Sequence, residues 1–249
     1  MSAYAELHCI SNFTFLRGAS HPAELVDRAA ALGYTALALT DECSVAGIVR
    51  AHVAARRHAL QLLIGSEFRL ADGLRLVVLA ADREGYAALC GLITRGRRAA
   101  DKGSYHVVRS DFEQLPAGCL LLWLPPEFPE PHDANWLRTH FYGRVWLAVE
   151  LHADGDEANR RARLLAFAET VGIPPAAAGD VHMHVRGRRA VQDTLTAIRR
   201  KLPLGCGSTG LHPNGERHLR TLTELQRIYP ARLLEATLQI ARRLHFSLD

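Results

Sequence analysis

The sequence is poor in cysteine. It has five (Cys9, Cys43, Cys90, Cys119 and Cys206), odd in number, widely scattered and without a C-x-x-C pair. This argues against a disulfide framework and against a structural zinc site built on thiolates. The cysteines read instead as small core residues. Long apolar runs are missing too. None reaches the roughly 18 to 20 residues that a bilayer span requires, so no membrane partner is expected. The opening "MSAYAELH" lacks a basic segment followed by an apolar one, which excludes a secretory signal and sets a cytoplasmic location as the expectation. Charge of one sign is scarce: the formal net charge is +4 over 249 residues. Such a balance permits contact with nucleic acid without demanding it. There is no internal repeat and no low-complexity segment.

What is present is an ordinary hydrophobic fraction of 48%, enough for the sizeable core of one α/β barrel-sized domain. Strand-like apolar runs alternate with amphipathic stretches. "AYAELHC" (3–9) reads as a strand. "HPAELVDRAAALG" (21–33) reads as a helix with proline in its first turn and glycine at its end. "YTALALT" (34–40) is a strand, 45–58 a helix, and "LQLLIGSEFRL" (60–70) a strand with a hairpin partner in 74–81. A helix over 83–99 leads to a strand at 119–125, and the proline-rich 125–135 reads as a surface loop. A strand over 144–152, a helix over 156–172, a last strand over 175–184 and a helix over 188–202 follow. A glycine-rich loop (205–215) and two helical segments close the chain. Repeated β-then-α units predict a parallel sheet or barrel.

In such folds ligands bind at the carboxyl ends of the strands. The polar residues predicted there are His8, Asp41, Glu42, Glu67, His152, Asp180, His182 and, nearer a loop, His184. Imidazoles and carboxylates are the donors that zinc, manganese or iron clusters use in hydrolases. Each alone has an ordinary reading: a strand-end histidine is commonly a hydrogen-bonded structural residue, and Asp41 is placed to cap a helix. Five strand ends sharing one bias is the informative feature, with the Asp180-x-His182 pair projecting to one face. Two stretches, "RGRRAADKG" (95–103) and "RGRRAVQ…IRRK" (186–201), are locally basic and read first as solvated helix faces.

The motifs "LHCISNFTFLRGAS", "ALTDECSVAGIVRAH", "IGSEF", "LAADREGYAALCGLITRGRRAA" and "AAGDVHMHVRGRRAVQDTLTAIR" resemble the PHP (polymerase and histidinol phosphatase) domain of bacterial C-family DNA polymerases. The similarity is to the error-prone, damage-inducible α-subunit type and extends over essentially the whole chain. It implies a distorted seven-stranded (β/α) barrel with a metal cluster at the strand carboxyl ends. Metal-binding members of that family hold up to three ions for phosphoester hydrolysis. The resemblance assigns 1–204 to the barrel and 205–249 to an extension toward a polymerase palm that is absent here.

Against the family pattern, His8, Asp41, Glu67, Asp180 and His182 match, and His152 aligns less surely. The second histidine of a His-X-His motif reads Ile10, the Asp-His of the next motif reads Asp41-Glu42, an expected histidine falls at Arg75, and an expected aspartate at Arg17. An aliphatic side chain cannot ligate, and a guanidinium repels a cation. Arg75 is therefore expected to stand in for a metal by pairing with Glu67 or Asp41. A full trinuclear centre is not expected. No cofactor is expected, or else a single zinc or manganese ion at a partial site.

The resemblance implies a silent domain whose partners are the rest of a polymerase and, through it, DNA and the sliding clamp. Translesion synthesis would belong to the parent protein. The alternatives are a metal-dependent phosphoesterase or proofreading exonuclease, and a DNA-binding module resting on the two arginine-rich stretches. The chain cannot be a polymerase by itself, because a barrel of this length leaves nothing from which to build a palm with its two-metal carboxylates.

Overall fold

The structure is a computed structural model that describes residues 3–201 and 210–249. Its strands are β1 (Ala5–Cys9), β2 (Ala36–Leu39), β3 (Gln61–Arg69), β4 (Arg75–Ala80), β5 (Cys119–Trp123), β6 (Val145–Glu150) and β7 (Pro175–Ala178). They form one sheet in sequence order. Neighbours are parallel except for the β3–β4 and β4–β5 pairs, which are antiparallel. A lone parallel bridge between Cys9 and Val181 brings the two edges together, with the Ile10 amide donating to Val181 at 2.9 Å. The expected distorted seven-stranded barrel is therefore what the chain forms.

Strands buried on both faces read as continuous apolar runs, as in other barrels. Residues pointing inward are Leu63, Val77, Leu79, Leu120, Leu122, Ala148, Ala176 and Ala178, which form one core. The outward set, including Leu37, Leu39, Val78, Leu121 and Val149, forms a second core beneath the helices. Those helices are α1 (Pro22–Ala31), α2 (Ile48–Ala55), α3 (Arg83–Arg98), α4 (Ser110–Glu113), α5 (Pro131–Phe141), α6 (Glu157–Val171) and α7 (Arg189–Arg200). After them come α8 (Leu222–Ile228) and α9 (Ala231–Ala241). Ile240 and Ala241 of α9, with Leu244 beyond it, join the inner core and close the barrel end opposite the strand carboxyl termini.

Two expectations need correction. The stretch 125–135 is not all loop, because α5 starts at Pro131. Proline is pre-set for a first helical turn, and Ala134, Leu137 and Phe141 fall on one buried face. The last strand does not run to 184; β7 ends at Ala178. Asp180 then takes a left-handed conformation (φ 42°), which breaks the ladder and leaves only single bridges at Val181 and Met183. Four of the cysteines are free thiols. Cys206 and residues 205–209 of the glycine-rich loop lie outside the described residues.

Candidate metal centre held by arginines

The inward parity that fills the barrel with aliphatic side chains turns polar at its mouth. On β3, Glu67 follows Leu63 and Gly65 in steps of two; two beyond Ala148 on β6 comes Glu150; two beyond Ala178 comes Asp180. The antiparallel β4 begins at the same mouth, which puts Arg75 opposite Arg69 and within reach of Glu67. On β1 the register slips: Glu6 pairs with Leu37 but Cys9 with Leu39, one extra residue on the β1 side. Such a bulge re-aims side chains, and it delivers His8 into the barrel.

His8 is fully buried and lies between carboxylates. Its Nδ1 is 2.7 Å from Glu150 Oε1 and its Nε2 is 3.3 Å from Glu67 Oε2. Burial alone would lower its pKa, but Glu150 and Glu67 outweigh it and push the imidazole up to about 9. Each ring nitrogen of His8 thus faces a carboxylate, an arrangement that favours the protonated imidazole.

Glu67 is also the focus of two arginines. Arg75 Nη2 donates to Oε1 at 2.8 Å and Arg17 Nη2 to Oε2 at 3.0 Å. Despite complete burial, Arg17, His8 and Arg75 hold its carboxyl well below the usual range. Arg17 Nη1 pairs with Glu42, whose other oxygen accepts from the Tyr105 hydroxyl at 2.8 Å. On the far side, Arg217 donates to Asp180 through Nη1 and to His212 Nδ1 through Nε at 3.1 Å. Burial lowers Arg217 to about 10, still a cation at neutral pH. Four carboxylates (Glu42, Glu67, Glu150, Asp180) thus face four cations (Arg17, Arg75, Arg217 and protonated His8).

The remaining sequence-predicted residues divide. His182 joins the cluster, its Nε2 2.9 Å from Asp180 Oδ1 and its Nδ1 2.6 Å from Gln192 Nε2. Burial and Arg17 hold it well below its ordinary pKa, so it is neutral. Asp41 does not enter the cluster. It accepts from the Ser11 amide at 2.7 Å, the Ser11 hydroxyl at 2.8 Å and the Thr14 hydroxyl at 2.7 Å, pinning the loop after β1. Arg75 accordingly meets Glu67 and not Asp41. His152 turns away to the Gly179 carbonyl (3.0 Å), and His184 to Ser20 (2.8 Å). Ile10 is completely buried and contributes only packing.

Sequence reasoning missed Glu150 and Arg217. The inward spacing Trp146, Ala148, Glu150 could have marked Glu150; it runs on to His152 as well, but β6 ends at Glu150 and His152 lies past the strand. Arg217 has no local signal, because it arrives from the tail.

His8, Glu150 and Asp180 each place a ligand-type atom within 4.8 Å of the others, a group that could hold a metal ion. In the arrangement seen, its atoms are committed otherwise: both nitrogens of His8 face carboxylates, and Arg217 sits on Asp180. Admitting a divalent ion requires freeing a His8 nitrogen from its carboxylate partner and displacing Arg217 from Asp180. A multinuclear cluster does not fit this donor set.

A distorted seven-stranded barrel with carboxylates and imidazoles gathered at one mouth is the PHP architecture, and the chain belongs to the PHP domain family, matched over residues 6–170. Its curated relatives include error-prone DNA polymerases. The protein of that name from Pseudomonas aeruginosa is 59% identical over 100% of this chain and 24% of its own length. The one from Dechloromonas aromatica is 55% identical over 99% of the chain and 24% of its own length. The chain thus spans about a quarter of the length of these relatives. Among solved structures, one assigned as a metal-dependent phosphoesterase from Bifidobacterium adolescentis superposes with a TM-score of 0.55 at 15% identity, covering 91% of this chain and 95% of that one. An amidohydrolase from Chromobacterium violaceum gives 0.56 at 16%, covering 73% and 88%. These two establish the fold.

Proposed function

We propose that the chain is the N-terminal PHP domain of an error-prone DNA polymerase, and that it acts as a non-catalytic scaffold. The observation that carries this reading is the replacement of cations by side chains: Arg17, Arg75, Arg217 and protonated His8 neutralise the carboxylates that a metal cluster would need. Full-length similarity to a quarter of several error-prone polymerases supports the parentage. In this reading 1–204 is the barrel, and 205–249 leads toward the palm while α9 plugs the barrel floor. Damage-tolerant DNA synthesis and repair, contact with DNA and the sliding clamp, and a cytoplasmic location all belong to the parent.

The test is metal content together with turnover. The purified 249-residue chain should contain well under one equivalent of zinc or manganese and should not hydrolyse a generic phosphate ester or a primer-template 3′ end with manganese added. Stoichiometric metal with metal-dependent turnover would overturn it. The second reading is a single zinc or manganese ion serving a phosphoesterase or proofreading activity; the 4.8 Å grouping of His8, Glu150 and Asp180 favours it. Binding of one manganese ion with release of a proton from His8 would support that reading instead.

A further inference from the structure

The two arginine-rich stretches singled out in the sequence are only partly used by the barrel mouth, and they flank the loop between β1 and α1. That loop is firmly held: Ser11 and Thr14 bond Asp41, and Arg17 bonds Glu42 and Glu67. Yet at its tip Phe15 is 81% exposed. The next residue, Leu16, is in the left-handed region (φ 59°), which an aliphatic residue adopts only against strain. An anchored, strained loop that turns an aromatic ring into solvent is a functional signature and not a frayed segment.

Phe15 borders a groove of about 500 Å³ that Phe13, Glu42, Arg97 and Tyr105 also line. The aromatics here are interleaved with arginines. The Arg50 guanidinium lies 5.5 Å from the Phe13 ring centre, and that of Arg97 lies 5.4 Å from Tyr105. Glu42, the acid in the groove, is already paired with Arg17. From the other side α7 presents Gln192, Thr196 and Arg199 on one face by their spacing of four and three residues. Gln192 is fixed to His182 at the mouth, and Arg199 follows it two turns along α7, with Arg200 next. Burial first, and then the like charges of Arg17 and Arg200, lower the Arg199 pKa. Among the described residues, Arg50, Arg199 and Arg200 have no ion-pair partner.

We infer that this rim binds single-stranded nucleic acid, with an unpaired base stacked on Phe15 and backbone phosphates on Arg50, Arg199 and Arg200. Stacking on an exposed ring needs a free base face, which a duplex does not offer away from its ends, and uncommitted guanidiniums complement phosphates. A protein partner would call for a broader apolar patch than one ring set among arginines.

The experiment measures anisotropy of a labelled oligothymidylate with the 249-residue chain at low salt. It is compared with an abasic oligomer of the same length and with a blunt duplex. Expected are preference for the thymidylate over both and a loss of about 5- to 150-fold for Phe15→Ala, the usual worth of one stacked base. Phe15→Trp should retain binding, with its emission quenched by the oligomer. Arg199→Ala with Arg200→Ala should lower the magnitude of the salt slope by about 1.4. Phe15 touches no core, so the unfolding midpoint should stay unchanged. No binding at 50 mM salt, equal affinity for the abasic oligomer, or an unaltered Phe15→Ala chain would each overturn the inference. So would a Phe15→Ala chain that loses self-association but keeps its affinity for the thymidylate. Neither metal content nor hydrolysis enters this test, so it stands or falls apart from the scaffold reading.

Discussion

Replacing Arg17 by methionine keeps the aliphatic stem and deletes the guanidinium that ties Glu67 to Glu42. Its Nη2 lies 3.0 Å from Glu67 Oε2. At an effective dielectric of about 20, that separation corresponds to an attraction of about 5 kcal/mol. Part of this is offset, since unfolding returns the guanidinium to water and Glu67 keeps Arg75 and His8. The net loss should be about 2–4 kcal/mol, near the range for breaking a buried ion pair. For a domain of this size that lowers Tm by about 5–15 °C. Urea unfolding of the 249-residue chain reads the change directly, provided the slope m is unaltered. The decisive measurement is a double-mutant cycle with Glu67→Gln. Once Arg17 is gone, Glu67→Gln should cost less than it does in the parent chain, with a coupling of at least about 1.5 kcal/mol. A methionine variant within about 0.5 kcal/mol of the parent, with additive effects, would show that the arginine lies on the surface of the site and not within it.

Two further outcomes follow from the same network. Ile10→His restores the missing nitrogen of the His-X-His pattern, yet metal-dependent hydrolysis should stay absent because Arg17, Arg75 and Arg217 still occupy the cation positions; hydrolysis by that single variant, followed with manganese and a phosphate ester, would refute the account. His8, whose folded pKa of about 9 exceeds its ordinary 6.5, contributes stability that is complete below pH 6.5 and disappears as pH rises through 9. Urea midpoints taken between pH 7 and 8.5 should therefore fall by about 2 kcal/mol in free energy, and a His8→Gln chain should give a nearly flat line over the same interval.

The sequence by itself determined the barrel and most of the residues at its mouth. Alternating apolar strands and amphipathic helices carry their own periodicity, and strand-end polar residues break an apolar run, so both are legible locally. Thus the strand order and the Asp180–His182 pair could be read from local pattern, while the departures at Ile10, Arg17 and Arg75 came from the resemblance to the PHP family. Tertiary structure alone decided which groups meet. The bulge in β1 turns His8 inward; β6 ends at Glu150, so His152, of the same parity, falls past the strand and turns to Gly179; the antiparallel β4 returns Arg75 to Glu67; and the tail carries Arg217 to Asp180. It also removed Asp41 from the cluster, since that carboxylate is saturated by Ser11 and Thr14. The physical reason is that an ion pair buried in a barrel depends on distances of a few ångströms between residues as far apart in sequence as His8 and Glu150, 142 positions, and no local pattern encodes such distances.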